Sequence, residues 1–378
     1  MNVKKYFNQT STVDNYLILS LCMIPIGLIA GTFVAELFFN LSIILGSFLI
    51  FKKKDYNFNL NLIIYFFSLY LFVISVNIIN YSNGSKIYFT NIVAYLRFFL
   101  FVIIITKALL IINLEKIQII LRFLSLTIFF IACDILIQKI FGKNILGFVA
   151  YENRYSSFFR DEYISGSFVA KFFLICAVSL SFIYNKKYQN KIFIFLIILL
   201  ASSVLFSGDR NALITFTFTL SIFCVFYKKF RKSIIIFFII FSCSIGTTYK
   251  VKPELLGRWT FIIDNFLDQN QTPNQKNYKK IITPFKNVLI EQGYYQLFSS
   301  SLKIWNNNKF IGTGWKTYRH ECSKAEYKLK DNKNYCSTHP HNYYFEILSE
   351  HGIFGLFFFL FGFIYVIYKH IIISFKCN

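Results

Sequence analysis

Ten apolar runs, each near the length a helix needs to cross a bilayer, divide this chain before any motif in it is read. They lie at 16–34, 36–51, 60–80, 88–112, 117–140, 163–184, 191–206, 210–227, 232–249 and 352–375. A hydrocarbon core takes roughly 20 residues of α-helix, and inside it every backbone amide must find its partner within the segment, which a helix achieves. With 56% hydrophobic residues, 49 Phe among 378 residues and a mean hydropathy of +0.52, the chain is too apolar for a domain whose surface meets water. The expected fold class is an all-α membrane protein of about ten transmembrane helices. Residues 1–249 are expected to form a membrane domain of about nine helices, 250–341 one large helical loop, and 342–378 a final transmembrane helix with a short tail.

The net charge of +22 would suggest nucleic acid in a soluble protein. Here much of it falls in short connections, where Lys and Arg set orientation instead, so no nucleic-acid partner is expected. Lys4 and Lys5, Lys52 to Lys54, Lys116, Lys186, Lys187 and Lys191, the run Lys228 to Lys232, and Lys369 and Lys376 fall at every second boundary. Those boundaries are expected on the cytoplasmic side, with both termini, and the 250–341 loop on the outer face. The first apolar run has the length of a true span and no small-residue cleavage site, so it is expected to act as an uncleaved anchor.

Four of the five prolines lie in 250–341, yet apolar and aromatic residues recur there at helical spacing in Leu255–Leu267 and Tyr294–Trp305, which predicts helices within the loop. Only Pro25 interrupts a span, and the helical part shows no duplication, so the broken helices and repeated halves common in transporters are not evident.

The chain carries 32 Lys but only 8 Arg, and five of the arginines, Arg154, Arg160, Arg210, Arg258 and Arg319, fall on the expected outer side. A guanidinium presents a planar fork of donors that fits phosphate oxygens in pairs, which an ammonium cannot do. Arg210, Arg154 and Arg258 are therefore the candidate ligands of a phosphate or diphosphate; the plainer reading pairs each with a carboxylate such as Asp161, Glu162 or Asp209. Arg210 closes the short turn Ser207-Gly208-Asp209-Arg210, where helix-opening N–H groups also favour an anion, although Asp209 could simply cap the helix. Within the membrane, Arg97 and Asp134 lie in consecutive antiparallel spans and could meet as an ion pair.

All five histidines lie in the last sixty or so residues, two of them in Thr338-His339-Pro340-His341-Asn342. Pro340 makes its predecessor extended, so the two imidazoles are expected to face one way, and Asn342 is a candidate N-cap for the next helix. Either His341 or His339 is a candidate general base near neutral pH; the alternative is a pair of interfacial histidines bonded to backbone. His320, Cys322, Cys336 and His339 could in principle bind zinc. Two cysteines in one outer loop more naturally form a disulfide, so Cys322–Cys336 is the expected pairing and no metal is expected.

Three stretches together resemble the bacterial O-antigen ligase and O-antigen polymerase superfamily of polytopic membrane glycosyltransferases. They are Arg154 to Ser167, Ser207-Gly208-Asp209-Arg210, and Gly312-Thr313-Gly314 followed by His339-Pro340-His341-Asn342-Tyr343, Glu346, Glu350, Gly352 and Gly355. The likeness covers roughly 145–365. It implies transfer of a glycan from an undecaprenyl diphosphate carrier to a hydroxyl of lipid A-core or of another glycan or lipid, at the periplasmic face of the bacterial inner membrane. It also implies that neither nucleotide sugar, metal nor other cofactor is needed. The family's basic turn residue corresponds to Arg210, its large-loop arginine to Arg258, and its loop histidine to His339 or His341. Ligation is the favoured reaction, polymerisation of repeat units the alternative, and a lipid-linked glycan transporter or flippase the reading from another class.

Overall fold

The computed structural model describes residues 12–80, 86–151, 154–181, 186–251, 294–327 and 336–376. In chain order its helices are α1 (Thr12–Ala30), α2 (Thr32–Lys53), α3 (Leu60–Ile79), α4 (Lys86–Ile111), α5 (Leu114–Phe141), α6 (Ser165–Ser181), α7 (Lys186–Phe206), α8 (Arg210–Phe226), α9 (Arg231–Val251), α10 (Tyr294–Asn307), α11 (Tyr318–Glu321) and α12 (Tyr343–Lys376). Each of the ten apolar runs falls on one of them. Eight helices are long and apolar enough to cross a membrane, while α6 and α8, at 17 residues each, are shorter. No β-strand forms among the described residues, only isolated bridges. This is an all-α, multi-pass membrane protein. The helix expected at Leu255–Leu267 lies outside the described residues; the one expected at Tyr294–Trp305 is α10.

The chain divides into two compact units, Met1–Tyr56 with Ile104–Asp264, and Asn57–Ile103 with Asn265–Asn378. In the first, α1 and α2 form an antiparallel pair separated by Gly31 alone. Gly27 lets the backbone of Ala35 approach so closely that a Cβ there would sit 2.8 Å from the Ala35 Cα, and the buried Ser20 and Ser42 hydroxyls share a hydrogen bond of 2.9 Å. Small residues that admit a neighbouring backbone are a common way to join helices in lipid, where apolar side chains gain little by leaving the solvent. The four helices α6 to α9 pack with α5 around Phe173, Phe193, Phe216 and Phe223.

Two lysines of this unit are paired with carboxylates, and Lys116, expected as a loop charge, is one of them. Lys116 is buried and its ammonium meets Asp14 at 3.0 Å, and Lys107 meets Asp55 at 2.6 Å. Each joins the start or end of one span to another, at the cost of desolvating the pair.

In the second unit, α12 packs against α3 and α10. Tyr65 donates to the Phe358 carbonyl at 3.0 Å, and Ser301 to the Phe345 carbonyl at 2.7 Å. α10 turns Leu297, Ser300, Ser301 and Ile304 inward, the spacing of one helical face. Ser300 and the Leu297 carbonyl hold the fully buried Tyr318 hydroxyl, at 2.9 and 3.1 Å. α12 is broken once: Gly352 has φ 63° and ψ −164°. Nine residues that begin at Tyr343 therefore precede the apolar run expected from 352 onward.

Candidate active site

In the first unit, the 142–164 connection folds onto the turn between α7 and α8. Its foundation is Asp134, fully buried in α5, whose carboxylate accepts from Ser157 Oγ at 2.6 Å, the Ile145 N–H at 2.9 Å and Asn144 Nδ2 at 3.3 Å. Three neutral donors of the loop thus hold this carboxylate. One turn on, Gln138 accepts from the Ser157 N–H at 2.8 Å and donates to the Phe148 carbonyl at 3.1 Å. Arg97, in the second unit, lies with its guanidinium 5.1 Å from the centre of the Phe98 ring.

The loop so held reaches the Ser207–Arg210 turn. The Tyr155 N–H donates to the Ser207 carbonyl at 3.2 Å, Ser165 Oγ to the Tyr155 carbonyl at 2.5 Å, and Ser167 Oγ to Asp209 Oδ2 at 2.5 Å. Asp209 caps α8 through the Ala212 N–H at 3.2 Å, and Gly208 supplies the left-handed φ of 74° that so short a turn requires. Arg210 opens α8, and Arg154 precedes the residue bonded to the turn. The two arginines thus sit on segments in direct contact. Arg154 lies 4.9 Å from the Tyr163 ring centre, with a buried Nε that has no hydrogen-bond partner among the described residues. Arg160 is exposed, in a left-handed conformation (φ 54°), 6.0 Å from the Phe148 ring centre. Arg258 lies outside the described residues.

In the second unit, the His339 and His341 rings stand 4.2 Å apart, centre to centre. The segment is not simply extended as expected, because His341 takes a left-handed φ of 56°. That turn carries the chain from Pro340 into α12, where Asn342 Oδ1 accepts from the Tyr344 and Phe345 N–H groups at 2.9 and 3.3 Å. Thr338 Oγ1 lies 3.0 Å from His339 Nδ1. The two imidazoles, with Lys316, Asn342, Tyr343 and Glu346, line a polar pocket of about 280 Å³. Burial lowers the pKa of both histidines; at His339 the cations Lys316 and Arg319 lower it further, and at His341 so does His339, against Glu346. Both rings are therefore biased toward the neutral form that can accept a proton.

Cys322 and Cys336 are joined as a disulfide, with Cα atoms 5.1 Å apart. It ties the segment that follows α11 to the one that leads into His339. His320 is exposed.

Gly312-Thr313-Gly314 and Glu350 stood out in the sequence only through the family resemblance, which did not show that they bond to each other. Glu350, buried in α12, accepts from the Lys316 N–H at 2.9 Å and the Tyr318 N–H at 3.2 Å, while its own carbonyl accepts from the Gly314 N–H at 2.7 Å. Asn77 of α3 accepts from the Trp315 N–H at 3.1 Å. The Gly312–Tyr318 strip is thereby fixed to α12 and α3. Lys316 is one of 32 lysines and no pattern in the sequence distinguishes it. Beside it His351, buried, lies 5.4 Å from the Trp315 ring and 6.3 Å from Phe72, centre to centre.

Residues 194–360, which contain the Ser207–Arg210 turn, the 312–318 strip and the histidine pair, match the family model of the O-antigen ligases. No curated protein and no solved structure matches the chain. That match, over residues 194–360, supports the O-antigen ligase and polymerase superfamily for this part of the chain.

Proposed function

We propose that this protein is an O-antigen ligase-type glycosyltransferase that moves a glycan from undecaprenyl diphosphate to a hydroxyl of lipid A-core, or of another glycan or lipid, at the periplasmic face of the inner membrane. The observation that carries this reading is the pair of neutral-biased imidazoles on a polar pocket, within the matched region. His341, which opens onto α12, or His339 beside it takes the proton of the acceptor hydroxyl as its oxygen attacks the anomeric carbon. The bond from that carbon to the diphosphate oxygen breaks, and its electron pair leaves with the diphosphate. Arg210 and Arg154, together with Arg258, neutralise the charge that develops there. The products are the glycosylated acceptor, undecaprenyl diphosphate and one proton on the histidine. No step calls for a metal, so chelator-treated protein is expected to keep its rate.

The test is purified protein in lipid nanodiscs with a polyprenyl diphosphate-linked glycan and candidate acceptors, scored for the linkage of the product. Arg210→Lys keeps the charge but loses the fork, and should lower kcat/KM at least tenfold, about 1.4 kcal/mol of transition-state stabilisation. Full activity in that variant removes Arg210 from the mechanism. Products extended by repeat units on the carrier would identify a polymerase, and carrier translocated without transfer a transporter.

A further inference from the structure

Two residues other than glycine that line the histidine pocket hold left-handed backbone, Lys316 at φ 61° and His341 at φ 56°. For a residue with a Cβ this conformation is strained, and such strain persists only where its surroundings fix it. At Lys316 the surroundings are explicit: the buried Glu350 carboxylate receives its N–H, Glu350 also receives that of Tyr318, and Asn77 receives that of Trp315. Glycine would hold the same turn without strain, so the backbone gains nothing from a lysine. Its side chain turns to the pocket, where it lies 5.7 Å from the Trp315 ring centre and, among the described residues, forms no ion pair.

We propose that Lys316 is a substrate-binding residue, and that the pocket takes one sugar ring bearing an anionic group, a carboxylate or a phosphate, with that group on the Lys316 ammonium. The inference rests on reading this pocket as the place where a glycan meets the histidines. At about 280 Å³ the pocket lies below the roughly 300–1,000 Å³ of sites for drug-sized ligands, a size for one ring. Asn342, Tyr343, Glu346 and the imidazoles offer the donors and acceptors that ring hydroxyls need. Of the six lining residues only Glu346 carries a carboxylate, and Arg319 adds a second cation whose charge acts on both His339 and Glu346. The local field of these cations thus favours an anion.

Binding to the full chain in nanodiscs, with no donor present, tests the idea with methyl glucuronide, a hexose phosphate and methyl glucoside as probes. The wild-type protein should bind one or both anionic probes about tenfold more tightly than the neutral one; which of the two it prefers identifies the group. Lys316→Gly should abolish the preference while its melting temperature stays level or rises, and Lys316→Arg should keep it. Equal binding of all three probes by the wild type overturns the proposal, as does a preference that survives in Lys316→Gly. The readout is independent of transfer, so a failed glycosyltransferase reading and a failed Lys316 site are told apart.

Discussion

An imidazole accepts a proton only while neutral, and the residues around this pair decide how far into acid that holds. Burial lowers both pKa values from the ordinary 6.5. If one of them is the base, the acid limb of kcat/KM should therefore lie below 6.5, with the rate falling as pH drops through the lowered value. Lys316 and Arg319 contribute to the shift at His339, whereas at His341 the nearby charges are His339 and Glu346. In Lys316→Gln the limb should move toward higher pH when His339 is the base and stay when it is His341. A wild-type limb above 6.5 would remove both from that role. Glu350 acts by geometry. Glutamine keeps one carbonyl oxygen for the Lys316 and Tyr318 N–H groups and turns an NH₂ toward the other, so Glu350→Gln leaves a buried donor unmet. That costs about 1–3 kcal/mol and should lower the melting temperature and loosen the Lys316 turn. An unchanged melting temperature would show that the two bonds contribute little.

At the scale of elements, the break in α12 is what joins the loop to the membrane helix. The Gly352 turn exposes two N–H groups, and the chain before Gly312 fills them: Ile353 donates to the Lys309 carbonyl at 2.8 Å and Phe354 to that of Phe310 at 3.2 Å. Gly312 has φ 68°, and a Cβ there would stand 2.3 Å from the Glu350 carbonyl carbon; at Gly352 a Cβ would stand 2.3 Å from that of Phe310. Both obstacles are backbone and cannot swing aside. Gly312→Ala should thus cost more than the 1–3 kcal/mol of backbone strain alone, seen as a lower melting temperature and protease cleavage within 309–318; a variant as stable as the wild type would mean the strip is not held against α12. The glycines, the asparagine cap and the Asp209 cap were readable because each residue type has a particular backbone use. Asp134 was readable as a costly buried charge but not as the anchor of Ser157, Asn144 and Ile145, because its partners come from a loop with no periodicity of its own.

For the whole molecule, hydropathy located ten apolar helices, eight of them long enough to cross a membrane, since the bilayer imposes one length and one polarity on a span. It could not show that α3 shares a compact unit with α10, α11 and α12, because the lipid-facing and protein-facing sides of these Phe-rich helices differ little in composition. The same limit hid the ion pairs of Lys107, inside the 88–112 run, and of Lys116, read as a boundary charge, with Asp55 and Asp14. Orientation does not rest on Lys116 alone. Lys52, Lys53 and Lys54 at the end of α2, and Lys228, Lys229, Arg231 and Lys232 from the end of α8 into the start of α9, supply the positive bias at boundaries of the same parity, and acidic partners weigh little in that rule. The bias predicts cytoplasmic boundaries there and, if ten helices span, an outer location for the connection after α5. Single cysteines at Lys54 and Lys228, both exposed, should resist a membrane-impermeant maleimide in intact cells and react after lysis. Cysteines at Ile145 and Phe310, each 65% exposed, should react in intact cells once the outer membrane is permeabilised, with the parent chain as the measure of background from its own thiols. Labelling of Lys54→Cys in intact cells would reverse the orientation, and with it the face on which the histidine pocket meets its glycan.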